Sequence, residues 1–168
     1  ADGVRQGDRV AVIMRNLPEW PVAFFAGIVV GAIVTPLNAW WTGAELEYGL
    51  ADSGTKVVIA DDERLGRIED YLDSLTGLAK VYVSRRGEPA PNAKVRALED
   101  VIGPVNSWAS LPDLPLPDSQ IGPEHDATIL YTSGTTGKPK GALGTHRHMP
   151  SNTGAGGISA VRNFLRAG

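Results

Sequence analysis

Five short apolar, β-branched runs punctuate the chain, at 9–14, 32–37, 56–60, 79–84 and 127–131, and helix-like segments separate the first four. A strand that returns beside its predecessor by way of a helix makes a βαβ unit, and successive units build a largely parallel sheet with helices on its faces. The fold class is therefore α/β, with a parallel or mixed sheet flanked by helices. A length of 168 residues fits a single domain of this kind, 1–168, with a sizeable core.

Start signals for the helices lie between the runs. In Asn16-Leu17-Pro18-Glu19, Asn16 can cap, Pro18 tolerates a first turn and Glu19 stands at the capping-box position. The helix that follows, to about Gly31, is apolar on nearly all sides and is predicted to be buried. Thr42-Gly43-Ala44-Glu45 repeats the capping-box pattern and opens a helix closing near Ser53-Gly54. Asp61 is predicted to cap a helix to about Leu75, and Asp61-Asp62-Glu63 suits a helix N-terminus better than a cation site. The uncharged stretch 21–44 has a densely apolar part, 22–34, of only 13 residues. A membrane span needs about 20, so a buried helix and strand are expected and no transmembrane segment. Trp40-Trp41 reads as surface packing rather than an acyl or carbohydrate platform, because neighbours on a strand point to opposite faces. Four prolines in 111–123 mark a stiff connection, with a polyproline ligand as the alternative.

Charge and composition exclude several classes. Lys+Arg number 16 against 19 Asp+Glu, for a net charge of −3, and no basic run occurs, so nucleic acid is not an expected partner. The absence of cysteine removes disulfide scaffolds, thiolate zinc sites and thiol nucleophiles, and a cytoplasmic location is expected. His146 and His148 form a His-x-His pair, but no cysteine or convincing acidic partner joins them, so no metal site is assigned. No nucleophile–base–acid set is apparent.

The informative segment is 131–141, Tyr-Thr-Ser-Gly-Thr-Thr-Gly-Lys-Pro-Lys-Gly, where a strand runs into a loop rich in glycine, hydroxyl groups and lysine. Glycines let backbone N–H groups approach phosphate oxygens, hydroxyls donate further hydrogen bonds and a lysine offsets charge. A polar hairpin loop has similar composition. The spacing matches neither the Walker A loop nor the Gly-x-Gly-x-x-Gly dinucleotide fingerprint.

This string resembles the signature phosphate loop of the adenylate-forming superfamily, which includes acyl-CoA synthetases, peptide-synthetase adenylation domains and luciferases. Thr145-His146-Arg147 is similar to a stretch that follows the loop in acyl-CoA synthetases. Asn16, Glu19, Gly31-Ala32, Pro36-Leu37-Asn38, Glu45 and Ser53 resemble the family's N-terminal pattern. Three features depart from it: Gly144 replaces an apolar strand residue, His148 replaces Asn, and 153–157 is glycine-rich where the family has a helix, so weak order is expected there.

The resemblance implies ATP-dependent activation of a carboxylate to an acyl-adenylate, followed by thioester formation with coenzyme A. It places Thr132, Ser133, Gly134, Thr135, Thr136, Gly137, Lys140 and Gly141 against the ATP phosphates. Ser133, Thr135 and Thr136 would donate through hydroxyls, Gly134 and Gly137 would shape the backbone, and Lys140 would supply the cationic contact. Lys138 is expected to be a solvated neighbour. The family's downstream groups for adenine, ribose, Mg²⁺ and the reacting carboxylate have no match in the sequence. Opening at Ala1 without a leader, the chain is therefore expected to be the N-terminal part of a longer acyl-CoA synthetase. Its expected substrates are ATP with Mg²⁺, coenzyme A and a carboxylic acid, in particular a fatty acid. Alone, the chain is expected to be inactive and to self-associate through an exposed sheet edge or apolar face. The alternatives are a non-catalytic phosphate- or nucleotide-binding module and an interaction domain using the proline-rich connection.

Overall fold

Side chains alternate across the central strand β1 (Arg9–Ile13), and each face meets its own layer of helix. Val12 packs with Val34 and with Ala23 of α1 (Glu19–Val29). Ala11 and Ile13 enter the opposite core with Leu46 and Leu50 of α2 (Gly43–Asp52) and Leu65 and Ile68 of α3 (Asp62–Ile68). The computed structural model describes residues 3–132 and 137–149. Within them β2 (Ile33–Pro36), β3 (Thr55–Asp61), β4 (Lys80–Ser84), β5 (Val95–Ala97), β6 (Asp126–Thr132) and β7 (Lys140–Thr145) complete a sheet of order β5-β4-β3-β1-β2-β6-β7. All neighbours are parallel except β6 and β7, which form an antiparallel hairpin, so the sheet is mixed.

The capping box of α2 forms as its sequence predicts. The Glu45 N–H donates to Thr42 Oγ1 at 3.4 Å and the Thr42 N–H donates to Glu45 Oε2 at 2.8 Å. The Thr42 N–H, and after it the Thr42 hydroxyl donating to the same oxygen at 2.9 Å, hold the Glu45 carboxyl below its usual range. Ser53 then closes the helix, donating from Oγ to the Gly49 carbonyl at 2.6 Å. Thr42→Ala is expected to cost about 1 kcal/mol of stability, read as a lower urea midpoint at an unchanged slope. An unshifted midpoint would show that water replaces the cap.

The start of α1 differs from expectation. Asn16 does not cap; the N-cap is Pro18, without a side-chain hydrogen bond. The chain turns tightly there, with the Leu17 N–H on the Arg15 carbonyl at 2.7 Å and the Trp20 N–H on the Leu17 carbonyl at 3.0 Å. Glu19 is buried and accepts from Arg85 Nε at 2.9 Å and Nη2 at 3.1 Å, so its carboxylate answers a distant strand end instead of its own helix. Nor is α1 buried all round. Ala23 and Gly27 face the sheet, while Phe25 is 56% exposed and Val22 is also open, because only one side of the helix meets the sheet. Gly27 permits that close approach: a Cβ there would stand 2.6 Å from Val34 Cγ2.

Asp61 caps α3 as predicted, but α3 ends at Ile68 rather than near Leu75. A 3-10 turn, Glu69–Tyr71, tightens the chain and delivers Leu72, Leu75 and Leu78 to the same core as Leu65 and Ile68. The two tryptophans lie in a turn after β2, not on a strand. Trp40 is exposed beneath the Arg15 guanidinium, 4.5 Å from its ring centre, and Trp41 packs on the α2–α3 core. After β5 come the short helix α4 (Glu99–Ile102) and a 3-10 segment, Val105–Ser110, and then 112–122 run without helix or strand. Ser119 ties that run to α1, donating to the Val29 carbonyl at 2.7 Å. Among the described residues no helix is long and apolar enough to cross a membrane.

Candidate functional site

Parallel strands bring their carboxyl ends to one edge, where ligands of open α/β sheets gather. The residues after β1 and β2 and the end of β6 meet at this edge around a cavity of about 830 Å³, lined in part by Asn16, Asn38 and Tyr131. A neighbouring cleft of about 410 Å³ continues past Glu45 and Tyr131 to Gly137 and Pro139. The segment singled out by its glycines and lysines therefore leaves and re-enters the sheet at the expected place.

The hairpin register sets Thr132 opposite Lys140 and Tyr131 opposite Gly141. Both Thr132 and Lys140 are exposed. Gly137 has φ +109°, a backbone conformation that side-chain-bearing residues rarely adopt, and no described residue lies within 4 Å of where a Cβ would stand. Gly141 serves packing, since a Cβ there would stand 2.8 Å from Ile129 Cγ2. Ser133, Gly134, Thr135 and Thr136 lie outside the described residues, as does the glycine-rich 153–157. Lys138 is exposed but not simply solvated: its ammonium lies 4.8 Å from the centre of the Tyr48 ring.

The α2 helix supplies contacts that sequence reasoning missed. The Tyr131 hydroxyl donates to Asp52 Oδ2 at 2.6 Å, and the Tyr48 hydroxyl reaches the Pro139 carbonyl at 3.3 Å. Burial, and after it the Asp52 carboxylate, push the Tyr131 phenol above its ordinary value, so it remains a donor. The i, i+4 spacing of Tyr48 and Asp52 was the only available signal.

β7 ends at Thr145, so the His-x-His pair does not ride on a strand. The His148 Nδ1 accepts the Thr145 N–H at 2.9 Å, while burial and then His125 lower the pKa of His146. Among the described residues no group of three His, Cys, Asp or Glu side chains is placed to hold a metal ion. Backbone bonds from His146 to the His125 carbonyl and from Arg147 to the Pro123 carbonyl, with the Arg147–Glu124 ion pair, fasten the end of the hairpin to the entry of β6. Gly144 has a local reason: a Cβ there would stand 3.0 Å from Thr128 Oγ1.

A mixed α/β sheet whose Gly-, Thr- and Lys-rich sequence lies between two strands at its carboxyl edge has that sequence where open α/β sheets take their ligands. The model of the AMP-binding enzyme family matches residues 1–165, and the chain belongs to that family. The long-chain-fatty-acid–CoA ligase of Escherichia coli O6:H1 is 33% identical over 168 aligned residues, covering 89% of this chain and 29% of that protein. Feruloyl-CoA synthase of Amycolatopsis sp is 34% identical over 152, covering 90% of this chain and 26% of that protein. The crystal structure of the anthranilate CoA ligase AuaEII with anthranoyl-AMP matches with a TM-score of 0.69 and 30% identity, covering 86% of this chain and 26% of that one. The chain thus spans under a third of the length of these relatives.

Proposed function

We propose that this chain is the N-terminal part of an ATP-dependent acyl-CoA synthetase. The observation that carries the reading is the segment between β6 and β7, which sits at the carboxyl edge of the sheet with Lys140 set across from Thr132. The names of the relatives support it. In the first step a carboxylate oxygen attacks the α-phosphorus of MgATP, forming the acyl–phosphate bond as the bond to pyrophosphate breaks. The charge that grows on pyrophosphate is met by Lys140, by the hydroxyls of Ser133, Thr135 and Thr136, and by backbone N–H groups that Gly134 and Gly137 leave accessible. This is positioning and electrostatic stabilisation, without covalent catalysis by the loop. In the second step the coenzyme A thiol attacks the acyl carbon, loses its proton and displaces AMP. Mg²⁺ arrives on the nucleotide as part of the substrate. The acid we propose is a fatty acid, in line with the Escherichia coli relative.

The test is carboxylate-dependent ATP–pyrophosphate exchange in the full-length polypeptide, with palmitate and ferulate compared as substrates. Lys140→Ala is expected to lower exchange about tenfold or more, the loss of one charge-assisted contact. The 168-residue chain alone is expected to support none. Full exchange by Lys140→Ala would remove Lys140 from the phosphate contacts. Preference for ferulate would replace the fatty acid by an aromatic acid. Binding of MgATP without exchange with any acid would favour the non-catalytic module.

A further inference from the structure

The α2 helix presents one face to the core through Leu46 and Leu50 and turns Tyr48 and Asp52 toward the end of β6 and the start of β7. Residues four apart stand one above the other on a helix, so the two act as one patch. Asp52 holds Tyr131, one residue before β6 ends, through the 2.6 Å hydrogen bond. Tyr48 holds the other stem twice, through the Pro139 carbonyl at 3.3 Å and through the Lys138 ammonium over its ring. Trp41 meets the Tyr131 ring edge-on at 5.9 Å. A single helical turn therefore grips both stems of the segment that the proposed function places on the nucleotide. The helix does not need these contacts to stay in place, since Leu46, Leu50 and the capping box already anchor it.

We infer that Tyr48 and Asp52 are positioning residues for the phosphate-contacting segment, fixing the separation and direction of its two stems. The inference rests on the reading of the chain as part of an ATP-using ligase. Fastened stems set Thr132 and Lys140 in place beforehand, so less ordering is required when MgATP binds.

The experiment is ATP–pyrophosphate exchange in the full-length enzyme, with KM determined separately for MgATP and for the carboxylate. Asp52→Ala and Tyr131→Phe are each expected to raise KM for MgATP about tenfold while leaving KM for the carboxylate unchanged. Asp52→Asn, which keeps an acceptor, is expected to recover part of the loss. The double variant should lose clearly less than the two single losses added, because both substitutions remove the 2.6 Å bond, each with one weaker contact besides, Tyr131 to the Gly49 carbonyl at 3.4 Å and Tyr48 to Asp52 at 3.5 Å. A merely structural role would lower recovered activity with both KM values unchanged and additive losses, and that result overturns the inference. Trypsin cleavage after Lys140 in the same protein gives a second reading. Asp52→Ala and Tyr48→Phe should accelerate it severalfold, and rates equal to those of the unaltered protein overturn the clamp. Should the unaltered enzyme show no exchange with any acid, the ligase reading has failed, and the clamp then stands or falls on the cleavage rates alone.

Discussion

Asp61→Ala is expected to cost about 3–5 kcal/mol of folding stability, the largest loss among the single changes considered. Asp61 is 6% exposed and joins the end of β3 to the start of α3. One carboxylate oxygen accepts the Arg64 N–H at 3.0 Å and the other accepts the Arg15 N–H at 3.0 Å. Both face Arg64 Nη1, at 3.3 and 3.4 Å. The Arg64 side chain is 1% exposed, and its remaining polar partners are the exposed Glu63 carboxylate at 2.7 Å and the Ala39 carbonyl at 2.9 Å. Removing Asp61 strands two backbone donors and takes the buried anion from a buried guanidinium. Asp61→Asn keeps an acceptor for the cap but not the charge, so its loss should fall between the native protein and Asp61→Ala. Equilibrium urea unfolding reads both. A loss below about 1 kcal/mol for Asp61→Ala would mean that Glu63 and the Ala39 carbonyl satisfy Arg64 by themselves.

The same residues show why parts of this fold were legible in the sequence. Thr42 and Asp61 cap helices through bonds to a residue three positions on, so the signal is complete within one turn. Strands β1, β3 and β4 carry β-branched runs that are largely buried, a pattern that needs no distant information. The start of α1 failed because the partner of Glu19 is Arg85, 66 residues away. β5 and α4 were too short, at 3 and 4 residues, to impose a period. β7 has two glycines in six residues and takes its strand form from pairing with β6, not from propensity. The candidate site divides in the same way. The motif at 131–141 is contiguous and could be read directly, whereas its support from Tyr48 and Asp52 lies 91 and 79 residues distant.

Gly137→Ala is expected to lower carboxylate-dependent ATP–pyrophosphate exchange about a hundredfold in the full-length enzyme, the scale of a displacement near 1 Å among groups that position substrate. Its stability cost should be only about 1–2 kcal/mol. The contrast follows from the geometry. At φ +109° a methyl group strains the backbone itself, yet no described residue lies within 4 Å of where it would stand, so no packing among the described residues is lost. The strain is relieved by rotating the stem, and that rotation moves Lys138, Pro139 and Lys140 together. Gly141→Ala is the informative comparison. There φ is ordinary and the added methyl meets Ile129 Cγ2, so β7 is pushed from its packing and stability should fall by about 1–3 kcal/mol. If the backbone at Gly137 sets the geometry of the phosphate contacts, Gly137→Ala loses far more exchange per unit of lost stability than Gly141→Ala. Equal ratios for the two would mean that the left-handed turn at Gly137 serves folding alone.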